Sequence, residues 1–92
     1  MFSLLCQPFA FGNLNLKNRI VMPPMATRYA SADGAVSQRT INYYEARARG
    51  GVGLIIVEAT YVHEKGPLLP NELGLSDDKF IRGLKVLTDA VH

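Results

Sequence analysis

The sequence predicts an α/β chain with a parallel sheet, in the order hairpin, β, α, β, α. Three observations carry that expectation. Residues 52–57 read Val-Gly-Leu-Ile-Ile-Val, with no polar side chain on either face; strands buried on both sides of a parallel sheet read this way, whereas half-exposed antiparallel strands alternate. Segments of helical periodicity lie on both sides of that run. The distance from Ile20 to Leu54 suits one βαβ crossover, which should be right-handed.

Phe9-Ala10-Phe11 and Leu14-Asn15-Leu16 are separated by Gly12-Asn13. A two-residue Gly-Asn connection suits a type II′ turn, so residues 8–16 are expected to form an antiparallel ribbon. Arg19-Ile20-Val21-Met22 is a short β-type run that Pro23-Pro24 must end, because proline has no N–H for a ladder. Residues 26–36 read as loop, with Asp33-Gly34 its strongest turn signal. Ser37 is the expected N-cap of a helix reaching Arg49, with Ile41, Tyr44 and Ala48 on one face. Gly50-Gly51 ends it, and Arg47 and Arg49 suit its negative end. After the apolar strand comes a turn-rich loop over 63–75. Ser76 is then the expected cap of a second helix, with Asp77 and Asp78 in its first turn. Phe80, Leu84, Leu87 and Val91 form its apolar stripe. Two parallel strands do not make a sheet that can be covered on both faces, so the chain reads as the opening of a larger α/β protein.

Ninety-two residues form one domain at most, and 48% hydrophobic with 20% charged residues is a globular composition. It excludes a disordered tail, a collagen-like chain and a disulfide scaffold. A net charge of +2, with no run of like charges, gives nucleic acid no electrostatic footprint. The single cysteine, Cys6, fits a reducing compartment and, with no basic neighbour, an inert thiol. Residues 1–16 have no charged side chain, yet Gln7, Pro8, Gly12 and two Asn break them, so a membrane span is excluded. They also lack the basic start of a signal peptide. A cytoplasmic chain without nucleic-acid or membrane partners is expected.

In parallel α/β proteins, ligands meet the C-terminal ends of the strands. Two segments hold that position: Pro23-Pro24-Met25-Ala26-Thr27-Arg28 and Glu58-Ala59-Thr60. Prolines hold the first extended, so it can present backbone groups to a flat heterocycle without an ordering cost. Met25 offers a soft, polarizable surface; alternatively the prolines merely end a strand and Met25 fills the core. Glu58 is either a general base or hydrogen-bond acceptor at the strand mouth, or a buried carboxylate with a backbone or arginine partner. Arg28 either meets an anionic group or lies exposed on a loop. Gly50-Gly51-Val52-Gly53 ends a helix and opens a strand, the reverse of a phosphate-binding fingerprint, and reads as a turn. His63 and His92 have no partner at metal-ligand spacing, so no metal site is expected. Tyr29, Tyr43, Tyr44 and Tyr61 read as packing residues rather than a stacking platform.

Leu16-Lys17-Asn18-Arg19-Ile20-Val21-Met22-Pro23-Pro24-Met25 resembles the first strand of the Old Yellow Enzyme family of FMN oxidoreductases (NADH:flavin oxidoreductases). Asp33-Gly34, Tyr43-Tyr44 with Arg47-Ala48, and Gly51-Val52-Gly53-Leu54-Ile55-Ile56-Val57-Glu58-Ala59 continue the likeness in order. Leu75-Ser76-Asp77-Asp78 and Thr88-Asp89-Ala90-Val91-His92 fit the family's second helix. The likeness covers essentially the whole chain and is nearest to the enoate-reductase and dienoyl-CoA-reductase side of the family. It implies that residues 1–92 are the N-terminal quarter of an FMN-binding (β/α)8 TIM barrel, with the hairpin plugging its bottom.

The resemblance also implies flavin contacts at Pro23, Pro24, Met25, Ala26 and Ala59, and makes Arg28 a candidate for approaching substrate. Many relatives carry Thr or Cys at the position of Ala26, so contact there should come from the backbone. The family's third-strand Gln, its His/His or His/Asn pair, its proton-donor Tyr and its phosphate-binding loops fall outside this segment, which thus holds no catalytic residue. The implied reaction passes hydride from NAD(P)H through FMN to an activated alkene of the enone or enoate type. A longer parent could add an iron–sulfur cluster and FAD. The rest of the barrel, or self-association, would be needed to close the fold. The competing expectation is an inactive fragment or a small self-associating flavin-binding module.

Overall fold

A computed structural model describes residues 3–92. Strands β1 (Phe9–Phe11) and β2 (Leu14–Leu16) form the expected antiparallel hairpin, with Phe11 opposite Leu14. Gly12 takes φ +61°, the sign that the first central position of a type II′ turn requires. Strand β3 (Val21–Met22) pairs in parallel with β4 (Leu54–Ile55), Val21 opposite Leu54 and Met22 opposite Ile55. Both strands are shorter than their apolar runs. The ladder ends where Ile56 N–H donates to the Met22 carbonyl at 3.0 Å, because Pro23 and Pro24 have no N–H to continue it.

Helix α1 (Gln38–Arg49) connects the two strands. Ser37 caps it as expected, its Oγ accepting from Thr40 N–H at 3.1 Å. The same hydroxyl donates to the Tyr29 carbonyl, which ties the preceding loop to the helix start. Replacing Ser37 with alanine is expected to cost about 1–2 kcal/mol, the range of a lost N-cap. A lower midpoint in urea denaturation of the full-length protein, against an unchanged Gln38→Ala control, would register it.

The second helix starts differently from the sequence reading. Asp77, not Ser76, is the capping residue, accepting from Lys79 N–H at 2.9 Å. A 3-10 turn (Asp78–Phe80) then leads into α2 (Ile81–Val91). An Asp carboxylate one residue on competes well with the Ser hydroxyl for the same orphan amides. The apolar stripe holds: Phe80 and Leu87 are buried, Leu84 and Val91 half-buried. Helices α1 and α2 pack side by side, and the core gathers Met22 of β3, Tyr44 of α1 and Leu87 of α2. Val36, Ile41, Tyr43, Ile55 and Val91 surround it.

Two features correct the sequence reading. The segment expected to be pure loop contributes a strand: β5 (Thr60–Tyr61) and β6 (Leu73–Gly74) pair in parallel. Gly34 N–H donates to the Ser31 carbonyl while its own carbonyl accepts from Gly74 N–H. That backbone seat explains the pairing, which no periodicity signals because each strand is two residues long. Secondly, residues 52–57 are not buried on both faces. Residues 52–55 are half-buried and Ile56 and Val57 exposed, because β3 and β4 form a two-stranded sheet. No helix among the described residues is long and apolar enough to cross a membrane.

Candidate functional site

The parallel pairing of β3 and β4 sends residues 23–28 and 58–60 off the same end of the sheet. Beyond Met22 the backbone ladder has nothing left to bond with, and side chains take over. Glu58 is buried, 3% exposed. Its carboxylate accepts from the Thr27 hydroxyl, 2.9 Å from Oε1 and 3.1 Å from Oε2. Thr27 N–H adds a longer bond of 3.4 Å to Oε2. From helix α1, the Tyr44 hydroxyl donates to Oε1 at 2.8 Å and accepts from Glu58 N–H at 3.0 Å. Thr27 Oγ1 also accepts from Tyr29 N–H at 3.2 Å.

One carboxylate therefore joins both strand ends and the helix between them. Its donors are two hydroxyls and a backbone amide, so of the backbone or arginine partner that the sequence allowed it is the backbone one that is present. Charge-assisted bonds of this kind are about twice as strong as neutral ones. Tyr44 is 1% exposed, and burial pushes its phenol well above the ordinary range, so it stays a neutral donor to Glu58.

Pro23, Pro24, Met25 and Ala26 follow β3 in an exposed stretch, and Ala59 is exposed directly after Glu58. The Thr27–Glu58 bridge thus holds the sequence-predicted residues at one mouth. Met25 is 48% exposed and does not fill the core. The amides of Met25, Ala26 and Ala59 find no acceptor among the described residues. Ala26 and Ala59 place only small side chains beside those amides. The face is open and not an enclosed cavity. A cleft of about 400 Å³ lies instead at the opposite end of the sheet, lined by Phe9, Phe11, Leu16, Arg19, Val21 and Leu54.

Arg28 has a definite place. It adopts φ +60°, unusual for a residue with a Cβ, and its Nε donates to the Pro70 carbonyl at 3.3 Å. It anchors the loop after β5 to the mouth. His63 sits in that loop, its Nδ1 accepting from Lys65 N–H at 3.1 Å. Cys6 is free and exposed. The tyrosines pack edge to face, Tyr29 on Tyr43 and Tyr43 on Tyr44. Arg39 and Arg47 lie over the Tyr29 and Tyr43 rings at 3.8 and 3.9 Å, so two of these rings also carry cations.

Thr27 and Tyr44 are the members of this hydrogen-bond network that sequence reasoning missed. Thr27 was legible only as a neighbour of the proline segment, and Tyr44 only as part of a helix face. A polar hydroxyl at the core-facing position of α1, opposite an apolar strand ending in Glu, was the available signal.

A family model described as the NADH:flavin oxidoreductase / NADH oxidase family matches residues 4–92. An NADH oxidase of Thermoanaerobacter brockii is 57% identical over 82 residues, covering 88% of this chain and 13% of that protein. An NADH:acrylate oxidoreductase of Vibrio harveyi is 49% identical over 78 residues, covering 85% of this chain and 8% of that protein. Among solved structures, the old yellow enzyme from Trypanosoma cruzi superposes with a TM-score of 0.87 at 38% identity. That match covers 99% of this chain and 24% of the enzyme. The chain therefore spans a small part of the length of these relatives.

Proposed function

The chain belongs to the NADH:flavin oxidoreductase / NADH oxidase family, and from that premise we propose that it supplies one wall of an FMN site in an NAD(P)H-dependent oxidoreductase. The observation that carries the reading is the single mouth that Glu58 and Thr27 make of two exposed segments, residues 23–26 and Ala59. FMN, when bound, carries hydride between a nicotinamide and an acceptor, and the protein orients it and tunes its electronics.

The residues present fit that group. Pro23 and Pro24 restrict the backbone that leads into the segment, the Met25 side chain gives a polarizable surface, and unpaired amides at Met25, Ala26 and Ala59 can donate to a heterocycle. Their role is to bind and orient; none carries a proton. Arg28, which already spends Nε on Pro70, has terminal nitrogens left to meet an anionic substrate group at the same end.

We further propose an activated alkene as acceptor. One relative is named for acrylate, whose carbon–carbon double bond is conjugated to a carboxylate, the electron-poor type that accepts hydride. The two bare edges of the β3–β4 pair, with Ile56 and Val57 exposed beside them, are the surfaces that further strands of a (β/α)8 barrel would cover. Barrels remove such edges by closure.

Met25→Lys and Ala59→Trp each place charge or bulk where the flavin plane would lie. In the full-length protein both are expected to lower bound FMN by at least about tenfold, read from the 450 nm absorbance retained after gel filtration. Full flavin content in both variants would sink the site assignment.

A further inference from the structure

We propose that Thr27 and Glu58 are positioning residues, a clamp braced by Tyr44 that sets the spacing of the two flavin-facing segments. This rests on the flavin site proposed above. Backbone pairing cannot do the job, because the ladder stops at the Met22 carbonyl and the next two residues are prolines. Thr27 commits both of its donors to one carboxylate. Ala26 precedes Thr27 and Ala59 follows Glu58, so this bond pair lies one residue from each proposed backbone contact.

The chemistry chosen is costly for stability alone. A buried carboxylate without a cationic partner is worth less to a fold than a well-packed apolar side chain. What it offers is geometry, since two oxygens accept at once from Thr27 and from Tyr44. Glutamine does not reproduce that, because its NH2 group would either face Thr27 N–H, donor against donor, or take away the acceptor of Tyr44 O–H. Tyr44 returns the bond by accepting from Glu58 N–H, which also fixes the backbone just before Ala59.

The test compares Thr27→Val, Thr27→Ser and Glu58→Gln with Met25→Lys, all in the full-length protein. FMN dissociation constants of the apoproteins and the midpoint potential of the bound flavin are measured. Thr27→Val keeps shape and loses the hydroxyl. It and Glu58→Gln are expected to weaken FMN about tenfold and to shift the potential, while Thr27→Ser stays within about threefold of the parent. Rescue by serine marks the hydroxyl rather than packing as the cause. If Thr27→Val and Glu58→Gln bind FMN like the parent at an unchanged potential while Met25→Lys loses it, the clamp is wrong and the site stands. If Met25→Lys keeps its flavin, the site reading fails and the clamp falls with it. Should Thr27→Val not fold, Thr27→Ala takes its place under the same criteria.

Discussion

Substitution of Gly53 by valine is expected to cost about 3 kcal/mol or more, the upper range for overpacking against a rigid neighbour. Gly53 opens β4, its N–H donating to the Ile20 carbonyl at 2.9 Å. A Cβ placed there would stand 2.5 Å from Asn18 Oδ1 and 2.6 Å from the Asn18 carbonyl oxygen. Asn18 cannot give way cheaply. Its Nδ2 donates to the Gly51 carbonyl at 2.6 Å, and its Oδ1 accepts from Ile20 N–H at 3.0 Å. Relieving the clash means breaking the staple that starts the parallel pair. Urea denaturation of the full-length protein measures the loss; a wild-type midpoint would mean that Asn18 swings aside at no cost.

Tyr44→Ala is expected to destabilise by about 3–5 kcal/mol, as for other large aromatic truncations. Tyr44→Phe should cost about 1–3 kcal/mol, since it keeps the ring and leaves Glu58 N–H without its acceptor. The difference between the two variants separates packing from hydrogen bonding. The pH dependence follows from the direction of the phenol's shift. In the fold the hydroxyl ionises well above its ordinary value, whereas in the unfolded chain it ionises at about 10. Its contribution is therefore full below about pH 10 and is lost as pH rises above it. The phenylalanine variant should show a shallower alkaline fall in stability. An identical fall in both proteins would remove Tyr44 from the account.

The elements that sequence reasoning placed well are those with a local cause. The Gly12-Asn13 turn, the Ser37 cap and the stripe of α2 each arise from residues close in the chain, and each is found. Strand polarity also put residues 23–26 and Ala59 at one end. What stayed hidden depends on partners far apart. Strands β5 and β6 are too short to carry a period and are held by Leu75 N–H donating to the Tyr61 carbonyl and Gly74 N–H to the Gly34 carbonyl. Thr27 pairs with a residue 31 positions away, and Arg28 with one 42 positions away. A buried carboxylate was one of two readings of Glu58, yet two of its three donor groups are hydroxyls because α1 aims Tyr44, and the bridge aims Thr27, at the strand end.

Loop-closure entropy orders how the Glu58 network can assemble during folding. Tyr44 and Glu58 are 14 positions apart, whereas Thr27 and Glu58 are 31 apart. Closing the shorter loop is cheaper by roughly 0.7 kcal/mol, and helical turns of α1 form on a fast timescale. The helix-to-strand contact is thus favoured to close first. Thr27 then captures a carboxylate already anchored by Tyr44, so the proline segment is the last part of the mouth to be locked and the first to be released.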